Sequence, residues 1–323
     1  MATPHDGPER GAAPEGGADR RPFIDTALVR ALVDRQFPQW AGLPLTPVDP
    51  AGSDHVIHRL GDALAVRLPR HSGAIGQAEK ERDQLPLLAP KLPLAVPVPV
   101  AVGRPALGYP WPWAVTRWLD GEVATVAGLA ESTDAALELA AFLRALQAVD
   151  PHIAGVVGAR ETLADRDTAT RDAIARAADA FDAAALTALW DAALAAPARQ
   201  GPPVLCHGDF HTGNLLTADG RLSAVIDFGS LGPGDPAVDL MIAFTLLSPR
   251  AAAVFRDALG VDDATWLRGR GWALTSGLLA YTAYAASDER IAAATTRQIR
   301  AALADPASDP GTDPPRVRTA HPV

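Results

Sequence analysis

Three polar residues in the middle of the chain have the types and spacing that phosphoryl transfer requires. Asp209 follows His207-Gly208, Asn214 comes five positions later, and Asp227 lies within the sequence Ile226-Asp227-Phe228-Gly229. A carboxylate can face a substrate hydroxyl and take its proton, while an amide oxygen and a second carboxylate are hard-oxygen ligands suited to Mg²⁺. The spacing therefore predicts Asp209 as the catalytic residue, and Asn214 and Asp227 as the metal ligands.

A hairpin explains how the two ligands could meet. The runs 215–217 and 222–226 have the pattern of strands, and Asp219-Gly220 between them is typical of a tight turn. Such a hairpin places the residue before its first strand beside the residue after its second. A short apolar run at 203–206 predicts a buried strand that leads His207-Gly208-Asp209 into a loop.

The same stretch shares two motifs with protein kinases and lacks a third feature. The interval from Asp209 to Asn214 equals that of the kinase catalytic loop, and Asp227-Phe228-Gly229 matches the kinase D-F-G. Gly208 stands where a kinase has arginine, and Gly234-Asp235-Pro236 begins only five positions after Gly229. A peptide-docking activation segment has no room there, so the pattern favours a small-molecule acceptor.

In this order, the motifs HGD-x-x-x-x-N, I-D-F and GDP-x-x-D-L resemble the aminoglycoside phosphotransferase family, over about residues 22–304 and best within 204–240. That family includes kinases of aminoglycosides and macrolides, and relatives that act on choline, homoserine and similar metabolites. The resemblance implies a bilobal, protein-kinase-like α+β fold, with a small N-terminal antiparallel β-sheet lobe and a larger, mainly helical C-terminal lobe. It also implies ATP, or GTP, with Mg²⁺ as cofactors, and a supporting role for Asp239 beneath the catalytic loop.

The resemblance also divides the chain. Residues 22–118 are expected to form the nucleotide-binding lobe, and 119–304 the catalytic and acceptor-binding lobe. The flanking segments 1–21 and 305–323 are rich in Gly, Pro, Ala and charge without periodicity, which predicts disorder. Helices are predicted over 24–37, 75–88, 132–149, 236–247, 262–286 and 289–303, with one or two exposed helices in 165–196, and strands over 45–48, 55–60, 63–68, 93–102 and 111–119.

Two positions in the first lobe are candidate phosphate-binding residues. Ser53 lies in the turn Gly52-Ser53-Asp54, which covers the nucleotide phosphates in kinase-like lobes, but a plain hairpin loop explains it equally well. Arg67, in Ala65-Val66-Arg67, falls where the family usually has lysine. Its guanidinium can bridge phosphate oxygens. The alternative is a surface arginine on an edge strand.

Three further residues complete the expected nucleotide site. Either Glu79 or Glu81 should pair with Arg67; Glu81 is favoured, and a solvated charged helix face is the alternative. The segment 111–119 matches the linker between kinase lobes, where backbone groups, here of Arg117 and Leu119, bind the adenine edge.

Composition limits the partners. The net charge of −9 argues against nucleic acid and suits a cationic substrate. A single cysteine rules out an intrachain disulfide, and neither a membrane-spanning run nor a signal peptide is evident, so a cytoplasmic monomer or weak homodimer is expected. An aminoglycoside is the first expectation for the acceptor, bound by acidic residues in 165–182 and at Asp262-Asp263 and Asp288-Glu289. A macrolide or a metabolite alcohol comes next.

Parts of the central stretch also fit other functional classes. His207-x-Asp209-x-His211 with Asp227 could form a metal-dependent hydrolase site, and a kinase-shaped binding protein without activity is a second possibility. Cys206 is better explained as a small buried strand residue than as a nucleophile. The order of the three motifs, and the presence of Asp209, Asn214 and Asp227 together, favour an active phosphotransferase.

Overall fold

The computed structural model describes residues 22–49, 54–152, 155 and 160–304. The segments 1–21 and 305–323, for which disorder is predicted, lie outside this range, as does Ser53. Within the described residues, no helix combines the length and apolar character needed to cross a membrane.

The N-terminal lobe is built on a five-stranded antiparallel sheet. Its elements, in chain order, are α1 (Thr26–Gln36), β1 (Leu45–Pro47), β2 (His55–Leu60), β3 (Leu64–Pro69), α2 (Gln77–Leu88), β4 (Pro99–Gly103) and β5 (Trp113–Arg117). The strand order is β1-β2-β3-β5-β4, so β3 is central and β4 lies at an edge. The predicted β-sheet lobe is therefore confirmed.

Local sequence accounts for these elements. Asp25 is the N-cap of α1, because its side chain accepts a hydrogen bond from the N–H of Leu28 at 2.8 Å. Buried Val29, Leu32 and Val33 have the helical spacing that turns one face of α1 onto the sheet. The predicted strand over 93–102 pairs with β5 only from Pro99 onward.

Among the described residues, the core between α1 and the sheet is separate from the larger core, to which Leu85 and Leu88 of α2 belong. Trp113 is fully buried at the centre of the former, with its ring 5.4 Å from the ring of Phe37 in an edge-to-face contact.

The C-terminal part is larger and mainly helical. Its elements are β6 (Glu122–Val123), α3 (Val126–Leu129), α4 (Thr133–Gln147), α5 (Asp167–Arg176), α6 (Ala183–Ala195), β7 (Val204–Cys206), β8 (Leu215–Ala218), β9 (Arg221–Val225), β10 (Gly232–Gly234), α7 (Met241–Thr245), α8 (Pro249–Leu259), α9 (Asp263–Tyr284) and α10 (Glu289–Ala304). Strands β8 and β9 form the predicted hairpin, to which β6 adds, and β7 pairs with β10.

Two helices place the polar loops of this lobe. α4 begins at the N-cap Ser132 and buries Phe142, whose ring stacks on that of Phe210 at 5.6 Å, directly after the Asp209 position. α9 passes close to the 3₁₀ turn Pro236–Leu240, because Gly269 has no side chain where a Cβ would lie 2.7 Å from the Leu240 Cβ. These contacts fix the chain on both sides of the central stretch.

Three sequence predictions differ from the structure. The helix predicted over 236–247 begins as the 3₁₀ turn Pro236–Leu240 and becomes α-helical only from Met241 to Thr245. Helices were expected to be exposed within 165–196, but α6 buries Trp190 completely. α8 was not predicted, although Ser248 and Pro249 provide an N-cap and a first-turn proline for it.

Gly103→Ala tests the packing of the first lobe. A Cβ at position 103 would overlap the indole ring of Trp113, which is fully buried and cannot turn aside. We expect overpacking to lower the free energy of unfolding by about 1–3 kcal/mol. Chemical denaturation measures this, with Val100→Ala on the exposed side of β4 as the control, for which a change within about 0.5 kcal/mol is expected. Unchanged stability in Gly103→Ala would mean that β4 can move away from the ring.

Candidate active site

The loop after β7 is held by a buried carboxylate. Asp239, in the 3₁₀ turn Pro236–Leu240, is inaccessible to solvent and accepts the N–H of His207 at 2.8 Å and that of Gly208 at 2.7 Å. Burial raises the pKa of Asp239 to about 6, although these two hydrogen bonds oppose the rise. Gly208 has a φ of 86°, in the left-handed region that glycine adopts readily. The expected support of the catalytic loop by Asp239 is thus present as two hydrogen bonds.

His207 links this loop to the segment that carries Asp227. Its Nε2 lies 3.1 Å from the Ile226 carbonyl and its Nδ1 3.3 Å from the Asp209 N–H. Since a carbonyl can only accept, the hydrogen bonds assign the proton to Nε2. Burial lowers the pKa of His207 to about 4, so the ring is neutral at neutral pH. Both ring nitrogens therefore serve the fold, which argues against His207 as the metal ligand of a hydrolase.

Asp209 has its carboxylate held from two sides. Its Oδ2 accepts a hydrogen bond from the Asn214 Nδ2 at 3.1 Å and lies 3.5 Å from the His211 Nε2. Burial alone would raise the pKa of Asp209, but the hydrogen bond and charge of His211, together with His207 and Asn214, lower it to about 2. The pKa of His211 is raised in turn: burial opposes the shift, but its hydrogen bond to Asp209 and the charges of Asp209 and Asp227 outweigh it. Asp209 is thus ionised at neutral pH.

The β8–β9 hairpin brings Asn214 and Asp227 together. The Ile226 N–H donates to the Asn214 carbonyl at 2.9 Å, and the side chains of Asn214 and Asp227 line the same cleft. Asp227 has a φ of 64°, an uncommon backbone conformation for a residue with a side chain. The Asn214 amide nitrogen is bound to Asp209, so its oxygen is the atom available to a cation. One amide oxygen and one carboxylate fit Mg²⁺.

Arg67 lies on the central strand β3, not on an edge. Its Nη1 donates to the Glu81 Oε2 at 2.7 Å, and its Nη2 lies 4.0 Å from the Asp227 Oδ1. Both partners of the ion pair are buried. The expectation that Glu81, and not Glu79, pairs with Arg67 is confirmed. Burial would lower the pKa of Arg67, but the charges of Glu81 and Asp227 raise it, so the guanidinium is permanently charged.

Arg67, Asn214 and Asp227 line one cleft of about 310 Å³ between the two lobes, and Asp209 adjoins it through its hydrogen bond to Asn214. The first lobe contributes apolar wall residues such as Ile57 and Ala65, and the second contributes Leu216 and Ile226. Arg117 and Leu119 also line the cleft. The Arg117 N–H donates to the Val98 carbonyl at 3.0 Å. The structure does not describe Ser53, but its neighbour Asp54 lies in the cleft wall.

A family model described as the phosphotransferase enzyme family matches residues 45–273, which is more than two thirds of the 323 residues. The chain belongs to the phosphotransferase enzyme family. The resemblance inferred from the three motifs is therefore confirmed, as is the expectation of an enzyme. No curated protein matches this phosphotransferase significantly.

Solved structures share its fold. The GDP complex of aminoglycoside 2'-phosphotransferase-IIIa is 19% identical with a TM-score of 0.69, covering 87% of this phosphotransferase and 99% of that chain. Macrolide 2'-phosphotransferase MphH from Brachybacterium faecium is 26% identical with a TM-score of 0.56, covering 89% and 99%. The streptomycin–ATP–APH(2")-IIa ternary complex is 16% identical with a TM-score of 0.55, covering 87% and 98%. The bilobal, kinase-like fold is confirmed.

Two other sequence interpretations concern metal binding and Cys206. The part of the phosphotransferase that the structure describes has no group of three or more His, Cys, Asp or Glu side chains arranged to hold a metal ion. Cys206 is fully buried in β7, and burial raises the pKa of its thiol far above the usual value. A thiol in that environment is a poor nucleophile, which agrees with the reading of Cys206 as a core residue.

Sequence reasoning missed a contact that Lys80 of this phosphotransferase makes between the two lobes. Its Nζ donates to the Gly229 carbonyl at 2.9 Å and so joins α2 of the first lobe to the residue two positions after Asp227. The Gln77 side chain also covers Gly229, where a Cβ would lie 2.6 Å from the Gln77 Cδ. In the sequence, Lys80 lies between Glu79 and Glu81 and is indistinguishable from a solvated charged face. Only the contact across the lobes reveals its role.

Asp239→Asn tests the support of the catalytic loop. Asparagine keeps the shape of the side chain, but only one of its terminal atoms accepts hydrogen bonds, so the N–H of His207 or Gly208 loses its partner. Losing a hydrogen bond to a charged group corresponds to about 1.5–3 kcal/mol, so we expect kcat to fall about 10–100-fold. Steady-state kinetics measures this, with an acceptor that the wild-type protein phosphorylates. Unchanged kcat would show that one of these two hydrogen bonds is dispensable.

The same variant yields a pH prediction. Because the folded-state pKa of Asp239 is raised to about 6, wild-type kcat should fall as pH decreases through about 6, when protonation removes an acceptor. The stability contribution of this group has the opposite sign: it is fully present below the usual aspartate pKa and is lost as pH rises through about 6. The limb of the kcat profile near pH 6 should be absent in Asp239→Asn. An identical limb in both proteins would assign it to another group.

Proposed function

We propose that this phosphotransferase moves the γ-phosphoryl group of ATP, with GTP as the alternative donor, to a hydroxyl group of a small molecule. The supporting observation is that Arg67, Asn214 and Asp227 line one cleft between the lobes, and that Asp209 is hydrogen-bonded to Asn214 beside it. GDP in the aminoglycoside 2'-phosphotransferase-IIIa structure and ATP in the APH(2")-IIa structure also support a purine nucleotide donor.

The base and sugar of the nucleotide fit the part of the cleft under the sheet. Ile57 and Ala65 above, and Leu216 and Ile226 below, are apolar walls suited to a flat purine. The carbonyl of Arg117 and the N–H of Leu119 are the backbone groups that we assign to its edge. Side-chain identity in this linker then matters less than backbone position.

The phosphates fit the polar end of the cleft. Arg67, held by buried Glu81, presents a fixed positive charge near Asp227. Asn214 and Asp227 would hold Mg²⁺, which supplies charge neutralisation to the phosphate oxygens when bound.

Asp209 would orient the acceptor hydroxyl. With a pKa of about 2, its carboxylate is a weak base at neutral pH, but it is a fully charged hydrogen-bond acceptor. It therefore acts first by positioning the hydroxyl oxygen, and takes the proton only as the new bond to phosphorus forms. Positioning and electrostatics supply most of the rate in this class of reaction.

An aminoglycoside remains the proposed acceptor, because streptomycin is bound by the similar APH(2")-IIa and the chain is acidic. Several of the acidic residues that could bind it have local roles, however. Asp182 and Asp262 cap helices, Asp263 pairs with Arg256, and Asp288 accepts backbone N–H groups at the start of α10. The pocket would have to use the remaining carboxylates.

A macrolide is the second candidate, because macrolide 2'-phosphotransferase MphH has a similar fold. Helix α9 carries the large apolar residues that could form the walls of a macrolide pocket, but Trp266, Trp272 and Leu278 are buried in the core of the lobe. Tyr284 is 51% exposed and is available to a ligand. A neutral metabolite alcohol is the third candidate.

An acceptor screen tests the proposed function. Purified protein with ATP or GTP and Mg²⁺ is incubated with aminoglycosides, macrolides and simple alcohols, and nucleoside diphosphate release is measured. Asp227→Ala and Asp209→Asn, which remove charges at the cleft, should reduce turnover at least about 100-fold. Full turnover in Asp227→Ala with Mg²⁺ as sole metal would remove the kinase assignment.

Aminoglycoside affinity should fall steeply from low to high salt as surface charges are screened, whereas macrolide affinity should change little.

Arg67→Ala separates nucleotide binding from acceptor binding. Loss of its charged contacts, at about 1.5–3 kcal/mol, should lower kcat/KM for the nucleotide about 10–100-fold with little change in acceptor KM. Arg67→Lys keeps the charge and should retain part of the activity. Arg30→Ala, which removes an exposed i,i+4 pair with Asp34 in α1, is the matched control. An unaltered nucleotide KM and kcat in Arg67→Ala would show that Arg67 does not face the phosphates.

A further inference from the structure

Arg160 joins the two loops that carry the proposed active-site carboxylates. Its Nη2 donates to the Gly208 carbonyl at 3.2 Å, and its Nη1 donates to the Ser230 carbonyl. Gly208 directly precedes Asp209, and Ser230 lies three positions after Asp227. A single side chain therefore spans the backbone of both loops.

Three glycines form the bed of this side chain. A Cβ at Gly208 would overlap the Arg160 guanidinium. A Cβ at Gly232 would lie 3.2 Å from the Arg160 Cγ, and one at Gly234 would lie 2.9 Å from its Cδ. Gly208 thus lacks a side chain because an arginine from a distant part of the chain occupies that space.

The peptide groups around Gly208 are held on both sides by charged groups. Its N–H donates to Asp239 and its carbonyl accepts from Arg160, at 2.7 and 3.2 Å. Hydrogen bonds to charged partners are stronger than those between neutral groups. Among the described residues, Arg160 forms no ion pair with a carboxylate, so its hydrogen-bonding capacity is directed at these backbone carbonyls.

We infer that Arg160 is a positioning residue that fixes the Asp209 loop relative to the Asp227 loop. This inference rests on the proposed phosphotransfer function for its kinetic consequences, but the contact itself does not. Asp209 orients the acceptor and Asp227 the phosphate end of the nucleotide, so their separation sets the distance between the reacting groups. A displacement of about 1 Å can reduce the rate about 100-fold.

The forked shape of arginine matters at this position. Two guanidinium nitrogens reach two carbonyls at once, whereas a lysine ammonium is a compact point charge on a flexible stem. Lysine at position 160 should therefore hold one loop and release the other. Nucleotide contacts from Arg67 and the 117–119 linker lie on the other lobe and should be unaffected.

The experiment compares wild type, Arg160→Ala, Arg160→Lys and a control, Arg144→Ala. Arg144 is an exposed arginine that also donates to a backbone carbonyl, that of Ala258 at 3.4 Å, but it joins α4 to α8 far from the cleft. Hydrogen–deuterium exchange is measured on peptides covering 206–211 and 228–231, together with nucleotide affinity, kcat and acceptor KM. Far-UV circular dichroism confirms that each variant is folded.

For Arg160→Ala we expect faster exchange in both peptides, and kcat reduced about 100-fold with nucleotide affinity within about threefold of wild type. Arg160→Lys should be intermediate, and added guanidinium ion should restore part of the activity of Arg160→Ala. Arg144→Ala should match wild type throughout. Unchanged exchange in both loops of a folded Arg160→Ala or Arg160→Lys variant would overturn the inference.

The two proposals fail in distinguishable ways. If wild type phosphorylates none of the acceptors tested, the proposed function fails, while the exchange measurement still decides whether Arg160 holds the loops. If wild type is active and Arg160→Ala has wild-type kcat, the positioning role fails and the proposed function stands. A loss of nucleotide affinity that accounts for the whole effect would also overturn the positioning role.

Discussion

The structure of the cleft depends on one buried carboxylate, that of Asp239, and on the two backbone N–H groups that it accepts. Burying a charge is costly unless it is hydrogen-bonded, and a single broken partner would leave it uncompensated. The chain must therefore bring the N–H groups of His207 and Gly208 to the same point, which forces Gly208 into the left-handed region. Asp209 is the next residue, so this constraint also fixes the direction of the carboxylate that we propose to be catalytic. Burial disfavours the charged form of Asp239 and raises its pKa to about 6, although the two backbone hydrogen bonds oppose that rise.

The same constraint gives the G-D-P-x-x-D-L sequence a physical meaning. Asp235 accepts the Ala237 N–H and pairs with Arg268 of α9 at 2.6 Å, so it starts the 3₁₀ turn and attaches it to the longest helix. The turn then places Asp239 under the loop. His207 transmits this order to the other side of the cleft through its hydrogen bond to Ile226. The Asp209 and Asp227 loops are therefore joined by the protein itself, before any nucleotide binds, which is the arrangement that catalysis by positioning requires.

Much of this could be predicted where the determinants are local. The β8–β9 hairpin follows from two apolar runs and Asp219-Gly220, and it accounts for the approach of Asn214 to Asp227 without any other part of the chain. The pairing of Arg67 with Glu81 was also favoured from the sequence, by the offset of Glu81 to the downstream Leu-Pro-Val-type segment. Lys80 and Arg160 were missed because each reaches a backbone carbonyl far away in sequence, 149 and 70 residues distant, and carbonyls leave no trace in side-chain patterns. Helix α6 was expected to be exposed because its alanines give no contrast between faces, yet Trp190 lies fully buried.

Charge balance in the cleft gives the strongest physical reason for proposing a divalent cation. Arg67 brings one positive charge to the phosphate end of the cleft, and buried Glu81 offsets part of it. Asp209, with a pKa of about 2, is ionised and is hydrogen-bonded to Asn214, which lines the cleft together with Asp227. These carboxylates would repel the phosphates of a nucleoside triphosphate. Like charges a few ångströms apart repel by several kcal/mol at an effective dielectric constant of about 20. The site becomes favourable for phosphate only if a hard cation sits between them. Asn214 is suited to share that cation because its amide nitrogen is bound to Asp209, which leaves its oxygen free to face Asp227's side of the cleft. The hydrogen bond between Asn214 and Asp209 therefore orients both the proposed catalytic carboxylate and the proposed metal ligand.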